Sequence, residues 1–550
     1  MGLSPSARLG LCLLAGLVVL AAAFRLPRLA ARPMHADEAN QALKAADLWQ
    51  TGNYRYDTAD HHGPSLYWLT LPSLRLSGAR DLAATTESAY RAVPLLFGIA
   101  LLGLMLLLAD GLGLPAVAAA GVLTAISPAL VYFSRYYIQE MLLVFFTTAL
   151  LASAWRYVRS GSVAWALAAG AALGMMHATK ETWVLSAAAM LAAAALTLAW
   201  GRWQDGKAAG ANVSGTRRVP MAGGTRRVPA TLALLAALAT ACLVAAAFYT
   251  SLGTNPQGLW DSIRAYANYW HRGREAVEHR QVWYYYLQIL FAYRPGRGFF
   301  WTEGLIGGLA LVGLVVCLRP RASSAGAATA PSLSLGLLRF LAFYTLLVTL
   351  LYAVIPYKTP WCAIEFLHPM TLLAGVAVQA VFRRFSSLPA RAIVAAALVA
   401  GTLQLGWQSY QLNFRFAADP RNPYVYAHTP PDLVRLADRL ELAAQRLPAG
   451  HDMLIHVVAE NYWPLPWYLR RFNPERVGYW RSAAEWRQAS GPGPPPAVIL
   501  ATADFEPAVE TGLHCDYNRQ MMCALRPGVL LRVYVRQDLW PAMIGPLPAG

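Results

Sequence analysis

The chain has 550 residues, of which 57% are hydrophobic and only 14% are charged. Because soluble domains carry about 25% charged residues, this composition excludes an ordinary soluble protein and indicates a polytopic membrane protein. The net charge of +17 does not indicate a nucleic-acid partner, because many Lys and Arg residues lie in short gaps between apolar runs, where they attract anionic membrane lipids.

The first apolar run, residues 9–24, is followed by a loop rich in carboxylates and imidazoles. The run is interpreted as an uncleaved first span, and Asp37 and Glu38 follow it directly. The loop continues with Asp57, Asp60, His61 and His62. Adjacent carboxylates beside a membrane span are costly unless they are solvated, paired or used. Since acid–base catalysis and metal binding require such groups, the loop is the first candidate site.

Two short helices are predicted in and just after this acidic stretch. Residues 37–50 carry small or apolar residues at helical spacing, and residues 65–76 repeat the pattern with Tyr67 and Trp68. Helices of this kind lie in the membrane interface, where aromatic rings are common. We therefore predict two interfacial helices behind the first span.

Ten further apolar runs follow the loop. They comprise residues 92–109, 114–133, 137–155, 162–178, 182–200, 230–250, 303–318, 337–356, 362–382 and 392–410. Each is close to the ~20 residues that a helix needs to cross a bilayer. With the first run, the pattern predicts about eleven transmembrane helices.

The basic residues between these runs predict the orientation of the chain. The gaps 156–161, 201–229, 319–336 and 383–391 are rich in Lys and Arg, and they fall on one side if the spans alternate. By the positive-inside rule that side is the cytoplasm. The acidic loop and the C-terminal region are then extracytoplasmic, and the protein is expected in the cytoplasmic membrane.

The last part of the chain has the composition of a small α/β domain. The segments that predict it are a helix at 433–447 and strands at 453–458, 497–501 and 529–535. We therefore predict a transmembrane domain over 1–410, with a catalytic outer loop at 27–90, and an extracytoplasmic domain over 411–550. Cys515 and Cys523 share this polar region, and an oxidising compartment would allow them to form a disulfide.

Charged and aromatic residues also cluster in the turns that the alternation places outside. The candidates in these turns and at the start of the second span are Arg91, Arg135, Glu140, Lys180, Tyr357 and Lys358. Cations at a membrane surface suit a phosphate, and aromatic faces suit a sugar ring. A carboxylate can remove the proton from an attacking hydroxyl. The set predicts transfer of a sugar from a phosphate-linked lipid to an acceptor outside the cytoplasm.

Several of these features have simpler interpretations. Arg91 can extend towards lipid headgroups. Asp37 and Glu38 can favour the dipole at a helix N-terminus. His61 and His62 can be solvated loop residues, or can contribute to a metal site, although two adjacent His residues chelate a metal poorly. The sequence leaves these alternatives open.

Several motifs resemble the GT-C glycosyltransferases, in the branch that contains the aminoarabinose–lipid A transferases and the protein O-mannosyltransferases. Residues 35–39 are similar to the Asp-Glu loop motif of that branch, and residues 62–68 resemble its Lys-Pro-Pro-Leu-x-Tyr-Trp segment. Residues 134–140 resemble its second acidic loop, and Lys180 and Tyr357-Lys358 fall where the branch has similarly placed residues. The resemblance implies a GT-C fold with a small α/β extracytoplasmic C-terminal domain.

The resemblance also implies a role for each candidate. Asp37 is expected to be the general base or to orient the acceptor, with Glu38 as its partner and Glu140 as a further catalytic carboxylate. The donor is expected to be a polyprenyl-phosphate sugar, and the acceptor a lipid, glycan or protein. The residues expected to bind them are His61, His62, Tyr67, Arg91, Arg135, Lys180, Tyr357 and Lys358. No cofactor is expected, and a divalent metal stays open because members of the branch differ in metal use.

Two segments, 61–64 and 357–361, resemble more closely a subfamily labelled as flippase-associated proteins of archaeal N-glycosylation. This resemblance implies a rival hypothesis, a non-enzymatic flippase or flippase accessory for lipid-linked sugars. Such a protein needs a phosphate site but no base beside an acceptor. An ion-coupled transporter is the third hypothesis, and it is less favoured because the apolar runs carry few interior charges.

Overall fold

The computed structural model describes residues 5–58, 62–209, 229–275, 279–319, 334–490 and 493–544. The chain divides into two compact units. The first, which we call the membrane unit, comprises Met1–Pro27, Asn53–Trp68 and Ala92–Tyr424. The second, which we call the α/β unit, comprises Arg28–Gly52, Leu69–Arg91 and Val425–Gly550. The domain boundary predicted between residues 410 and 411 stays a prediction.

Helices account for nearly all regular structure up to residue 410. They are α1 Pro5–Arg25, α2 Ala36–Thr51, α3 Ser65–Leu76, α4 Glu87–Leu106, α5 Ala109–Leu112, α6 Leu114–Ile126, α7 Pro128–Ser134, α8 Glu140–Ser160, α9 Val163–His177, α10 Trp183–Ala209, α11 Ala230–Tyr249, α12 Gln257–Glu275, α13 Tyr285–Phe291, α14 Gly304–Leu318, α15 Leu335–Val354, α16 Ile364–Arg384 and α17 Leu388–Tyr410. The helices predicted at 37–50 and 65–76 are α2 and α3.

The membrane-spanning helices coincide with the predicted runs. Within the described ranges, eight helices are long and apolar enough to cross a membrane. The number is nine if the pair α6–α7, which is bent by 61°, counts as one span. The helices α9 and α14 are shorter apolar helices at the two remaining predicted positions. The chain is therefore a multi-pass helical membrane protein, as the sequence predicted.

Small residues allow these helices to approach closely. A Cβ atom at Gly170, Gly313 or Gly375 would overlap a backbone carbonyl of the facing helix. Helices in a membrane associate mainly through such close packing, because lipid removes the hydrophobic drive between them. The contacts join α9 to α11, α14 to α16 and α16 to α6.

A buried carboxylate holds the bend between α6 and α7. Glu303 accepts hydrogen bonds from the Ser127 hydroxyl at 2.6 Å, the Ala129 N–H at 2.8 Å and the Tyr424 hydroxyl at 2.7 Å. The backbone groups freed by the bend are thus satisfied inside the protein, as membrane depth requires.

The C-terminal part of the α/β unit is a five-stranded sheet with short helices. Its elements are α18 Pro431–Arg446, β1 Ile455–Val458, α19 Leu465–Tyr468, β2 Val477–Trp480, α20 Ala483–Ala489, β3 Val498–Thr502, α21 Glu506–Thr511, β4 Tyr517–Arg526, β5 Val529–Arg536 and α22 Trp540–Ile544. The strand order is β2-β1-β3-β5-β4, with β1 parallel to β2 and β3, and β5 antiparallel to β3 and β4. Every residue of β1 and β3 is buried, and both strands are apolar apart from His456 and Thr502, as is typical of parallel strands covered on both faces.

The cysteines of this sheet are free thiols. Cys523 is buried on β4, whereas Cys515 is exposed just before that strand. The disulfide envisaged from the sequence is not formed. The buried thiol belongs to the apolar core of the sheet, so it acts as a small hydrophobic side chain.

The α/β unit also contains the start of the loop that follows α1. The Met34 N–H donates to the Tyr468 hydroxyl at 2.7 Å, and the Thr429 hydroxyl donates to the Met34 carbonyl at 2.7 Å. The indole N–H of Trp467 donates to Glu87 at 3.0 Å. The residues on both sides of α2 are thereby fixed to C-terminal segments of the same unit.

Candidate functional site

Glu38 and Arg91 form a buried ion pair in the α/β unit. Arg91 Nε and Nη2 donate to the two carboxylate oxygens of Glu38, each at 2.8 Å, and both side chains are 0% exposed. The remaining Arg91 donors bind the carbonyls of Leu29, Arg32 and Pro33 at 2.9–3.2 Å. Arg91 therefore neither reaches lipid headgroups nor offers a donor to a substrate. We assign it to holding the acidic loop.

Glu38 is also part of the cap of α2. Its carboxylate accepts the His35 backbone N–H at 3.2 Å, and the His35 ring accepts the Asp37 N–H at 3.0 Å, which completes a capping box. The helix ends at Gly52, whose φ of 68° is a left-handed conformation that suits glycine. The two adjacent carboxylates therefore differ in their contacts, because the Glu38 carboxylate is engaged by the helix cap and by Arg91.

Asp37 is the accessible member of the adjacent pair Asp37 and Glu38. Its side chain is 48% exposed, and the nearest ring nitrogen, Nδ1 of His35, is 3.8 Å away. That nitrogen accepts a hydrogen bond, and Nε2 lies 3.0 Å from the Tyr426 carbonyl, so the ring carries its proton on Nε2 and is neutral. Asp37 therefore has the exposure that a proton acceptor for an external hydroxyl needs.

In the membrane unit, the loop before α3 is fixed against the turn between α9 and α10. The Ser65 N–H donates to the Ala178 carbonyl at 2.8 Å, and the hydroxyls of Ser65 and Thr179 are 2.8 Å apart. A Cβ atom on Gly63 would overlap the Ala178 backbone, so this approach requires glycine. The contact places His62 beside the turn.

His62 and Glu181 form a carboxylate–imidazole pair at this junction. His62 Nδ1 lies 2.9 Å from Glu181 Oε2, and the Tyr56 hydroxyl donates to Oε1 at 3.3 Å. The Glu181 side chain is 4% exposed and that of His62 is 30% exposed. Burial alone would raise the pKa of Glu181, but the charge and hydrogen bond of His62 outweigh it and lower that pKa. The pair fixes the partly exposed His62 ring beside this turn.

Lys180, in the same turn, pairs with Glu140, the first residue of α8. Both side chains are buried. Burial alone would lower the pKa of Lys180, but the Glu140 carboxylate outweighs it, so that pKa lies above its ordinary value. The pair engages the Glu140 carboxylate and one of the three N–H donors of the Lys180 ammonium. The roles predicted for both residues stay predictions.

Lys358 is a buried cation of a different kind. It is 1% exposed, its ammonium donates to the Ile355 carbonyl, and it lies 6.0 Å from the centre of the Tyr286 ring. Burial lowers the pKa of Lys358. Among the described carboxylates none forms an ion pair with it. Its neighbour Tyr357 is 37% exposed and packs on His279 at 4.8 Å between ring centres.

Two further predicted residues lie in the interior of the membrane unit. Arg135 donates to the carbonyls of Arg25 and Pro27 at 2.7 and 2.8 Å and is 6% exposed. Tyr67 is 0% exposed, and its ring centre is 5.2 Å from that of Tyr54. These contacts stabilise the end of α1 and the start of α3, and we do not assign either side chain to substrate.

His61 and Asp60 lie outside the described residues. Within the described ranges, no group of three His, Cys, Asp or Glu side chains is arranged to hold a metal ion. The described residues therefore do not fit a metal site.

Three buried carboxylates were not among the candidate residues predicted from the sequence. They are Glu181, Glu303 and Glu365. Neither oxygen of Glu365 has a hydrogen-bond partner among the described residues, although it lies in a membrane span. Glu303 and Glu365 could have been predicted as candidates, because a carboxylate inside or beside an apolar run is unusual in a membrane protein.

Comparison with known proteins identifies the fold. The profile of the family "dolichyl-phosphate-mannose-protein mannosyltransferase" matches residues 74–213. No curated protein gives a significant sequence match. The crystal structure of ArnT from Cupriavidus metallidurans bound to undecaprenyl phosphate is similar with a TM-score of 0.60 and 15% identity, over 99% of this chain and 100% of that chain.

Two further structures agree with this finding. ArnT from the same organism in the apo state gives a TM-score of 0.59 at 16% identity, with 99% and 100% coverage. The oligosaccharyltransferase AglB from Archaeoglobus fulgidus, in complex with an inhibitory peptide and a dolichol-phosphate, gives 0.51 at 13% identity, over 90% of this chain and 69% of that chain. The chain therefore has the GT-C fold, as the sequence resemblance implied.

Proposed function

We propose that the chain is a membrane glycosyltransferase that moves a sugar from a polyprenyl-phosphate donor to an extracytoplasmic lipid, glycan or protein acceptor. The GT-C fold and the mannosyltransferase profile over residues 74–213 support a transferase. The similar proteins were solved with undecaprenyl phosphate and with dolichol-phosphate, which supports a lipid-phosphate donor. The observation that carries the proposal is the half-exposed Asp37 beside a fully paired Glu38.

Asp37 serves the acceptor in this proposal. As the acceptor hydroxyl attacks the anomeric carbon, its proton passes to the Asp37 carboxylate. A bond forms between the acceptor oxygen and the anomeric carbon, and the bond between that carbon and the phosphate oxygen breaks. The leaving group is the polyprenyl phosphate, so no oxidant, reductant or further reactant is needed.

His62 and Lys358 serve the donor phosphate. His62 is held by the Glu181 carboxylate and keeps 30% of its side chain exposed, and Lys358 has no carboxylate partner among the described residues. Hydrogen-bond donors and cations that are held in place at a leaving phosphate stabilise its developing negative charge. Lys180 is buried in its pair with Glu140, so we place it second for this role.

The His62–Glu181 pair predicts a specific loss of donor affinity. Because a hydrogen bond to a charged group contributes about 1.5–3 kcal/mol, His62→Ala should raise the donor KM by roughly 10- to 100-fold. Glu181→Gln keeps an oxygen acceptor for Nδ1 but removes the charge, so it should raise KM less and leave kcat nearly unchanged. The measurement is initial rate against donor concentration.

The matched control is His451→Ala, which breaks the exposed His451–Glu441 pair of the α/β unit, whose ring nitrogen and carboxylate are 3.0 Å apart. It should leave the donor KM as in the wild type. An unchanged KM in His62→Ala would remove His62 from the phosphate site.

The proposal places the protein in the cytoplasmic membrane with its active face outside. Residues 201–229 should be cytoplasmic and residues 420–550 extracytoplasmic, because the basic gaps mark the inner side. In a variant that keeps only the exposed Cys515, a membrane-impermeant maleimide should label intact cells. A variant with a single cysteine at Arg202 should be labelled only after lysis. Labelling of both in intact cells would contradict the topology.

The rival function is a flippase, or a flippase accessory, for lipid-linked sugars. A flippase also needs a site for the lipid phosphate, but this function gives no role to the exposed Asp37. It therefore predicts no glycosyl transfer by the purified protein and normal translocation of lipid-linked sugar by the Asp37→Asn variant.

A further inference from the structure

A cavity of about 470 Å³ opens on the C-terminal part of the α/β unit, between α20, β3 and the start of β4. Its volume lies in the range of about 300–1,000 Å³ that is typical of small-molecule sites. The residues of the catalytic proposal do not line it, so it is a separate feature of the chain.

A buried histidine that lines this cavity carries an unpartnered hydrogen-bond donor. The Trp486 indole N–H donates to His456 Nδ1 at 3.1 Å. Because an indole nitrogen only donates, Nδ1 must be unprotonated, and the ring carries its proton on Nε2. Burial lowers the pKa of His456 to about 4, so the ring is neutral at physiological pH. Nε2–H has no protein partner among the described residues, although the side chain is only 6% exposed.

A second polar group of the cavity also lacks a partner. The Ser490 hydroxyl is buried and makes no hydrogen bond with the described residues. Buried polar groups are nearly always satisfied, so an unpartnered hydroxyl on a residue that lines the cavity is a group that a ligand or a water can satisfy. His514 adds an exposed imidazole at the same cavity.

The rest of the lining defines the class of ligand. Leu513, Tyr517 and the run Pro494-Pro495-Pro496 give it an apolar and aromatic wall, and the Tyr517 hydroxyl is engaged with the Pro496 carbonyl at 2.7 Å. Of the described residues that line the cavity, none is Asp, Glu, Lys or Arg. A charged ligand would enter without a counter-charge, which is costly. A suitable ligand has C–H faces that pack against the apolar and aromatic wall and hydroxyls that hydrogen-bond to the unpartnered polar groups.

We infer that this cavity is a binding site for an uncharged saccharide, with the His456 Nε2–H and the Ser490 hydroxyl as its polar contacts. The site does not depend on the proposed transfer reaction, and the saccharide need not be the acceptor or the transferred sugar.

The test uses the purified full-length protein without any donor lipid. Saturation-transfer NMR and isothermal calorimetry should detect saturable binding of at least one neutral probe among glucose, mannose, galactose, arabinose, maltose and mannobiose. Because the contacts are uncharged, the affinity should be the same at low and high salt. Glucuronic acid and glucosamine, probes of the same shape with a charge, should bind more weakly than glucose.

Two variants locate the binding. Loss of one hydrogen bond in Ser490→Ala should weaken the best probe by roughly two- to tenfold. His514→Ala removes an exposed side chain, so it tests the same cavity without affecting folding. The control is Gln488→Ala. Gln488 is exposed on α20 and does not line the cavity, so this variant should bind the probes as the wild type does.

The inference is overturned if none of the neutral probes binds, or if binding survives unchanged in both Ser490→Ala and His514→Ala. It is also overturned if affinity falls with salt or if the charged probes bind best. These results do not depend on glycosyl transfer, so failure of the site and failure of the proposed function are distinguishable.

Discussion

Replacing Asp37 with asparagine is expected to lower kcat by about 10²–10⁴-fold, the usual effect of losing a general base. Asparagine keeps the size and hydrogen bonding of the side chain but cannot take a proton from the acceptor. The side chain is half exposed and lies in the first turn of α2, so the fold should be maintained. The measurement is turnover with saturating donor, together with thermal unfolding of the same preparation.

Asp47 provides the matched control. It is exposed on α2, so Asp47→Asn makes the same change of charge on the same helix. Its turnover should equal that of the wild type. Wild-type turnover by a well-folded Asp37→Asn protein would remove Asp37 from catalysis.

Replacing Glu38 with glutamine is expected to lower the free energy of unfolding by about 3–5 kcal/mol, because it leaves the Arg91 charge buried without a partner. Both side chains are 0% exposed, and Arg91 also organises the carbonyls of the acidic loop. The measurement is the denaturant or thermal unfolding curve of the α/β unit in the full chain. Activity should fall only as far as the folded fraction falls.

A double variant separates charge from shape. Glu38→Gln combined with Arg91→Met removes both charges and should recover part of the lost stability, because apolar replacements of a buried pair are often tolerated. If Glu38→Gln unfolds like the wild type but loses turnover, Glu38 is the catalytic partner that the sequence resemblance implied, and the structural role is wrong.

The helical architecture was predictable because its signals are local. A run of about 20 apolar residues is enough to predict a membrane-spanning helix. The positions of the basic gaps along the sequence are enough to predict its orientation, without any information on tertiary contacts. The buried strands β1 and β3 are apolar apart from His456 and Thr502, so the sequence also predicted them. The edge strands β2 and β4 were not, because their residues are only partly buried and lack such a run.

The pairing of the site residues was not predictable, because the partners are distant in sequence. Glu38 and Arg91 are 53 residues apart, and His62 and Glu181 are 119 apart. The sequence supplied two adjacent carboxylates, but only the structure shows that the helix cap and Arg91 take one and leave the other accessible. Likewise, the docking of Met34 against Tyr468 joins positions 434 residues apart.

The most direct test of the proposed function is an assay of the purified protein with a panel of radiolabelled polyprenyl-phosphate sugars and membrane extract as the acceptor source. The proposal predicts transfer of label from at least one donor by the wild-type protein and by Asp47→Asn, and a loss of about 10²–10⁴-fold in Asp37→Asn. Absence of transfer from every donor, with translocation of lipid-linked sugar in proteoliposomes that Asp37→Asn supports equally well, would contradict it and establish the flippase function instead.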